Sequence, residues 1–183
     1  MEAQVYNKNT GEFRACHKIM AYILIDGYNL IGIAHKDLEK ARNDIIEKLC
    51  RYSELKGHNI TLVFDGWKGG QGMETKMRID NVNIIYSRLG EKADFVIKKI
   101  LSEDIKPWIV ISSDREIFDF AVKKGFVSIA SEEFEDKLNF ALYPDEQEEI
   151  EYKAINRMPN RQKGNPMKLS KKQKKKLGAL KRL

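Results

Sequence analysis

Five short apolar segments alternate with amphipathic segments in this chain, and the alternation predicts its fold. The apolar segments are Tyr22–Ile25, Ile60–Phe64, Val82–Tyr86, Trp108–Ile111 and Phe126–Ile129. They are short and bounded by turn residues, and the first is apolar throughout, as is typical of strands buried on both faces of a sheet. Strands that alternate with helices indicate an α/β fold with a parallel sheet and helices on both of its faces.

The segments between the strands carry the signals of helices. Residues 37–56 place apolar side chains three and four positions apart, and a second helix is predicted around 91–103. A third helix is predicted to open at Ser113, with Glu116 completing a capping box, and to end at Gly125. The glycine-rich stretch from residue 66 to residue 79 is predicted to be a flexible connection, although its Trp67 and basic residues would also suit RNA.

Charge divides the chain into two unlike parts. The 183 residues are 42% hydrophobic and 33% charged, which excludes collagen-like, membrane and fully disordered classes. Of the net charge of +6, residues 151–183 contribute +11, from twelve basic residues and one acid, which leaves −5 for the remainder. We therefore predict a polar extension (1–19), an α/β body (20–150) and a basic tail (151–183) that is disordered by itself. Leu177 and Leu180, with Ser170 as a cap, permit a short helix in the tail once phosphates neutralise its lysines.

The cysteines and the apolar runs indicate where the protein works. Cys16 and Cys50 are too few for a disulfide framework, which points to a reducing compartment. Because no apolar run is long enough for a signal peptide or a membrane span, we expect a cytoplasmic protein without membrane contact. The three histidines have no partners at the spacing of a zinc site.

Four aspartates lie at or just beyond the predicted strand ends. They are Asp26, Asp65, Asp94 and Asp114. Each one alone is explained by a turn or a helix N-terminus. The carboxyl ends of parallel strands meet at one edge, however, and four acids there repel one another unless cations lie among them. An oxygen-only ligand set suits Mg²⁺ or Mn²⁺, which can activate a water against a phosphodiester.

Polar side chains accompany these acids. Asn29 follows the first strand and either contacts a carboxylate, a metal-bound water or a phosphate, or only completes the turn begun by Gly27. Ser112 and Ser113 precede Asp114, and capping of the next helix is the expected role of Ser113.

The motifs around these residues resemble a known family. They are Asp26-Gly27-Tyr28-Asn29-Leu30-Ile31-Gly32, Ala41-Arg42, Val63-Phe64-Asp65, Ala93-Asp94 and Ser113-Asp114-Arg115. Their order and spacing over about residues 20–140 resemble the YacP-like NYN domains, which are ribonucleases of the PIN-like superfamily. This resemblance implies a three-layer fold with a five-stranded parallel sheet in the order 3-2-1-4-5.

The resemblance also implies roles for individual residues. It makes Asp26, Asp94 and Asp114 the metal-binding catalytic residues, with Asp65 and Asn29 holding metal waters or substrate. The expected RNA contacts are Arg42, Ser113, Arg115, Lys171, Lys172, Lys174, Lys175 and Lys176, the lysines acting through counterion release. The family often has alanine after the second-strand aspartate, whereas this chain has Gly66.

The expected function is that of a Mg²⁺- or Mn²⁺-dependent endoribonuclease acting on messenger or ribosomal RNA, with the ribosome as a candidate partner. The alternative is a non-catalytic RNA- or ribosome-binding protein whose acids hold a structural ion and whose tail carries the affinity. The other interpretation of the tail itself is a solvated segment that serves only solubility. A small-molecule phosphatase is disfavoured because Asp26-Gly27-Tyr28 lacks a second acid.

Overall fold

The computed structural model describes residues 4–7, 12–15, 20–32, 37–66, 73–144 and 171–183. The strands are β1 (Gln4–Asn7), β2 (Glu12–Ala15), β3 (Tyr22–Asp26), β4 (Asn59–Phe64), β5 (Thr75–Ile79), β6 (Val82–Tyr86), β7 (Trp108–Ile111) and β8 (Val127–Ile129). The helices are α1 (Gly27–Ile31), α2 (Leu38–Lys56), α3 (Ala93–Glu103), α4 (Arg115–Lys123), α5 (Ser131–Leu142) and α6 (Lys171–Leu180).

A six-stranded sheet in the order β5-β6-β4-β3-β7-β8 forms the centre of the body. The five predicted strands are parallel and adjacent in the order 3-2-1-4-5, which confirms that prediction. β3 lies in the middle, where Ile25 pairs with Leu62 on β4 and with Ile111 on β7. The strands β3, β4 and β7 therefore end together, and the residues that follow them share one edge of the sheet, the carboxyl rim.

The sixth strand corrects the predicted strand count. β5 pairs antiparallel with β6 at the edge of the sheet, within the segment predicted to be a flexible connection. The two-residue link contains Asp80 at φ 51°, a left-handed conformation that aspartate tolerates. Because the side chains of β5 are mostly exposed, including Lys76 and Arg78, burial imposes no apolar pattern on it. Trp67 and the glycines around it lie outside the described residues.

Helices cover both faces of the sheet. Leu49 and Tyr52 of α2 and Phe134 of α5 are fully buried in the core on one face, where α1 also packs. Ile97 of α3 and Ile117 of α4 are fully buried on the opposite face. Among the described residues, no helix is both long and apolar enough to cross a membrane.

The chain also forms elements that the sequence pattern does not predict. α1 and α5 each follow a strand directly at the carboxyl rim. Within the predicted polar extension, β1 and β2 pair antiparallel in a two-stranded sheet of their own. The rest of that extension, and residues 145–170 between body and tail, lie outside the described residues.

The end of the basic tail is a helix that packs onto the body, so the prediction of disorder is wrong for this part. Leu183 is buried in the core, and its carbonyl oxygen accepts a hydrogen bond from Tyr52 Oη at 2.6 Å. His58 Nε2 lies 2.9 Å from the carbonyl oxygen of Arg182 and donates to it. One apolar face and these two bonds hold the segment despite its charge.

Leu183→Ala tests this packing. It removes a fully packed side chain from the core, so we expect the free energy of unfolding to fall by about 2–4 kcal/mol. Leu177→Ala, on α6 in the same terminal segment, is the matched control, because Leu177 is 45% exposed, and it should change stability by less than ~0.5 kcal/mol. Urea unfolding measures both, and equal effects of the two substitutions would contradict the docked helix.

Candidate active site

Asp26 ends the central strand and caps the helix that follows it. Its Oδ1 accepts from the Asn29 backbone N–H at 3.2 Å, and its Oδ2 accepts from Ser112 Oγ at 3.4 Å. The carboxyl is only 7% exposed. Gly27 makes the turn possible, because a Cβ at this position would lie 2.3 Å from the ring of Phe64.

Asp65 follows β4 and connects the sheet to α3. Its Oδ1 accepts a short hydrogen bond from Ala93 N–H, so it caps the helix whose second residue is Asp94. The next residue, Gly66, donates from its backbone to Ser87 Oγ at 2.9 Å. A Cβ at position 66 would lie 1.7 Å from the Ser87 carbonyl oxygen, which explains glycine where the family often has alanine.

Asp114, and not Ser113, caps α4, so the predicted capping box is wrong. Asp114 Oδ1 accepts from the backbone N–H groups of Glu116 at 2.7 Å and Ile117 at 3.1 Å. Ser113 Oγ instead donates to Glu132 Oε2 at 2.8 Å. The helix begins one residue later than predicted because aspartate at 114 competes for the same backbone donors.

The four acids act on one another electrostatically. Burial is the largest cause that raises the pKa of Asp26 to about 6; the Asn29 N–H opposes it, and Asp94, Asp65 and Asp114 add to it. The pKa of Asp94 is also raised, first by burial and then by Asp114. The structure thus brings the four predicted acids to one rim, as the parallel topology requires.

A lysine that the sequence analysis did not select lies beside these acids. Lys98 lowers the pKa of Asp94, against the other causes, and forms a short ion pair with Glu116 that joins α3 to α4. Its position one helical turn after Asp94 was the signal in the sequence.

Asn29 is held by a network that fixes which way its amide points. Its Oδ1 accepts from the Ser113 backbone N–H at 2.6 Å and from Ser131 Oγ at 2.7 Å. Since both bonds use the carbonyl end, the Nδ2 end is the one turned away as a donor. Ser131 is 4% exposed and was missed, because only the pairing of β8 with β7 brings it to this rim.

The predicted RNA-binding arginines lie apart from this network. Arg42 Nη1 donates to Tyr28 Oη at 3.3 Å, on the flank of α1. The side chain of Arg115 is 93% exposed and lies 3.7 Å from the carboxylate of Asp119.

The tail lysines whose side chains the structure describes make their contacts with groups other than the four aspartates. Lys171, Lys174 and Lys175 are exposed on α6, and Lys175 Nζ donates to the Gly125 carbonyl oxygen. Lys176 pairs with Glu133 at 2.5 Å. The structure does not describe the side chain of Lys172.

The comparisons with known proteins identify the family. The family model "YacP-like NYN domain" matches residues 23–182. The chain belongs to the YacP-like NYN domain family. The predicted resemblance is confirmed, and with it a place among the PIN-like nuclease domains, a nuclease-like and RNA-related group.

Individual relatives of this NYN domain come from Bacillus subtilis. "Uncharacterized protein YacP" of strain 168 is 35% identical over 88 residues, which are 44% of this chain and 51% of that protein, so the chain spans about half the length of this relative. The crystal structure of Rae1 (YacP) covers 75% of this chain and 84% of its own, with a TM-score of 0.56 and 23% identity. The crystal structure of a mutant of Rae1 (YacP) covers 74% of this chain and 85% of its own, with a TM-score of 0.56 and 21% identity. At these identities the structures show a shared fold.

The rim of this NYN domain has the chemistry of a cation site without a closed ligand cage. Among the residues that the structure describes, no group of three His, Cys, Asp or Glu side chains is arranged to hold a metal ion. The donor set is nonetheless all oxygen. Burial is the largest cause of the raised pKa values of Asp26 and Asp94, and the neighbouring acids add to it, a repulsion that a divalent cation would relieve.

Asp26→Asn should stabilise the fold at neutral pH. The pKa of Asp26 is raised from 3.8 to about 6, so the folded state binds this proton more tightly, and wild-type stability falls as the pH rises through this range. The variant does not titrate there. In metal-free buffer we expect its advantage to be absent near pH 4 and to reach about 1–3 kcal/mol above pH 7.

Urea unfolding across this pH range measures the effect. Asp104→Asn is the control of opposite sign, because Lys106 lowers the pKa of Asp104. An Asp26→Asn variant no more stable than wild type at neutral pH would show that the buried carboxyl carries no such strain.

Proposed function

We propose that this chain is a metal-dependent endoribonuclease that hydrolyses phosphodiester bonds of cytoplasmic RNA. The observation that carries the proposal is the set of four aspartates at the carboxyl rim, two of them with raised pKa values. An anionic substrate cannot approach such a rim unless a cation compensates the charge. The family supplies the choice of RNA as the substrate.

Mg²⁺ or Mn²⁺ fits the residues present. These ions accept one or two carboxylates directly and keep several waters, so they suit a site in which no three such side chains converge among the residues that the structure describes. We assign Asp26, Asp94 and Asp114 as the groups that would hold the ion, one or two of them directly and the others through its waters. When bound, it would supply activation of water and neutralisation of charge at phosphorus. Attack by this water on phosphorus, with the 3′ oxygen as the leaving group, would leave 5′-phosphate and 3′-hydroxyl ends.

Hydrogen bonds at the rim position the three assigned carboxylates and the substrate. Asp65 caps α3 and so fixes the helix that carries Asp94. Asp114 caps α4 with one oxygen, which leaves the other for the ion. The Nδ2 of Asn29, oriented by Ser113 and Ser131, donates to an oxygen of the scissile phosphate.

The basic residues concentrate RNA on the enzyme without reading its sequence. The exposed Lys171, Lys174 and Lys175 are displayed on a helix docked to the body, together with Arg115 near the rim. Each phosphate contact releases counterions, so affinity should depend strongly on salt. The substrates we propose are messenger or ribosomal RNA, including RNA on the ribosome.

Asp94→Asn should reduce cleavage of single-stranded RNA by at least ~100-fold, because substitutions of mere supporting residues at metal sites already cost 10–100-fold. EDTA should have the same effect on the wild-type chain. Gel analysis of end-labelled RNA with Mg²⁺ or Mn²⁺ measures both.

Asp80→Asn is the matched control for this experiment. It makes the same substitution at an exposed turn whose left-handed backbone asparagine accepts, and it should cleave like wild type. Wild-type cleavage by Asp94→Asn, or cleavage that continues in EDTA, would overturn the site assignment.

Ser131→Ala should slow catalysis through Asn29. Loss of one of the two bonds to Asn29 Oδ1 should lower kcat by roughly 10-fold with little change in KM. In an Asn29→Ala background the same substitution should have no further effect, which a double-mutant cycle measures.

A buried serine on β8 provides the control for this cycle. Ser128 is 4% exposed, and its Oγ has no hydrogen-bond partner among the described residues. Ser128→Ala should leave kcat unchanged. Additive losses for Ser131→Ala and Asn29→Ala would show that Ser131 does not act through the amide.

A non-catalytic RNA-binding protein is the second candidate. The observation that favours it is the lack of a closed three-ligand group in the described part of the chain. The same cleavage assay separates the two functions. Purified wild-type chain that binds RNA in a salt-dependent way but leaves it intact with either ion supports this candidate.

A further inference from the structure

A concavity of about 540 Å³ opens directly beside Asp94 and is lined by unusual side chains for an acidic site. Two of them are apolar and exposed, Leu89 at 62% and Phe95 at 59%. Lys92 and Lys98 line it as well. With Glu91, Glu116 and Arg88, which line it too, it combines three carboxylates, three cations and an apolar surface next to the rim.

The exposed ring of Phe95 does not pack in the hydrophobic core. The buried residues of α3 are Ala93, Val96, Ile97 and Leu101. Phe95 falls between them on the side of the helix that faces away from the sheet, and it adjoins Asp94 in sequence. The same helix thus presents a carboxylate to the rim and a phenyl ring to its outer wall.

Phe95 also lines a second concavity, of about 360 Å³, on its other side. Arg88 and Glu91 line both concavities, and Lys99 lines the second. The ring is therefore part of the wall of both hollows, and the first of these is also lined by Asp94.

We propose that Phe95 is a stacking platform for a nucleobase of the RNA strand whose phosphate faces Asp94. This inference rests on the proposed function, since it requires a nucleic acid at the rim. An exposed phenyl ring offers a face on which any base stacks, and Leu89 closes the apolar contact beside it. Lys92, exposed at the start of α3, lines the same concavity and is available to the backbone phosphates of the same nucleotides.

The test measures coupling between the ring and a base. Binding of a short, labelled single-stranded RNA is followed by fluorescence anisotropy with Mg²⁺ in an Asp114→Asn background, since asparagine still caps α4 and hydrolysis is removed. The same RNA is then used with one abasic nucleotide moved along its length. Phe95→Ala, Phe95→Trp and Phe140→Ala are compared in this background.

Phe95→Ala should weaken binding of intact RNA by about 5- to 150-fold, the range for loss of one base–aromatic stack. At one position of the RNA, the abasic nucleotide should weaken binding to the Asp114→Asn protein, the parent of these variants, by a similar factor. The Phe95→Ala variant should bind this abasic RNA as it binds the intact RNA. Phe95→Trp should restore the affinity. Phe140→Ala should bind like the parent, because Phe140 is a similarly exposed ring, at 55%, on α5 across the sheet.

Two results would overturn the proposal. One is unchanged binding by Phe95→Ala, and the other is a loss that is equal for every abasic position and for Phe140→Ala. Failure of the proposed function is detected in a different experiment, the cleavage assay, as absence of cleavage by the wild-type chain. Binding that depends on Phe95 and a base but occurs without cleavage would retain the subsite and discard the nuclease.

Discussion

A carboxyl that is almost inaccessible to water at the end of the central strand is the constraint on which the rim of this protein depends. Asp26 is 7% exposed, and burial is the main reason that its pKa rises to about 6. The fold stabilises this carboxyl with two hydrogen bonds, one from a backbone N–H of α1 and one from the hydroxyl of Ser112. A position that costs stability as an anion is retained where three strands end together, which is typical of functional sites.

The acids of the rim also build the structure that holds them. Asp26, Asp65 and Asp114 each accept backbone N–H groups at the start of a helix, and Asp65 does so for the helix that carries Asp94. The carboxylates that cap these helices are therefore the same ones that concentrate negative charge at the rim. Asparagine is the informative replacement, since it keeps the cap and removes the charge, whereas alanine would disturb both.

The basic tail shows how packing overrides charge. Its lysines alone predict a solvated, disordered segment. Ala179 of α6 and Leu183 after its end are nevertheless buried in the core, and Tyr52 and His58 bond to the carbonyl oxygens of Leu183 and Arg182. The lysines on the outer side are thereby fixed relative to the body. Composition could not reveal this, because three or four apolar positions among many charges decide it.

By itself the sequence determined the five parallel strands and the arrival of four acids at one edge, and its resemblance to the family supplied the order of the strands. Buried strands need continuous apolar runs, and strand ends in a parallel sheet meet by topology. The tertiary structure alone decided the exposed edge strand β5, the cap at Asp114 and the Ser131–Asn29 bond. These depend on contacts between distant segments, over which local pattern has no influence: an edge strand needs no apolar face, and a hydroxyl 102 residues away finds its amide only once β8 is in place.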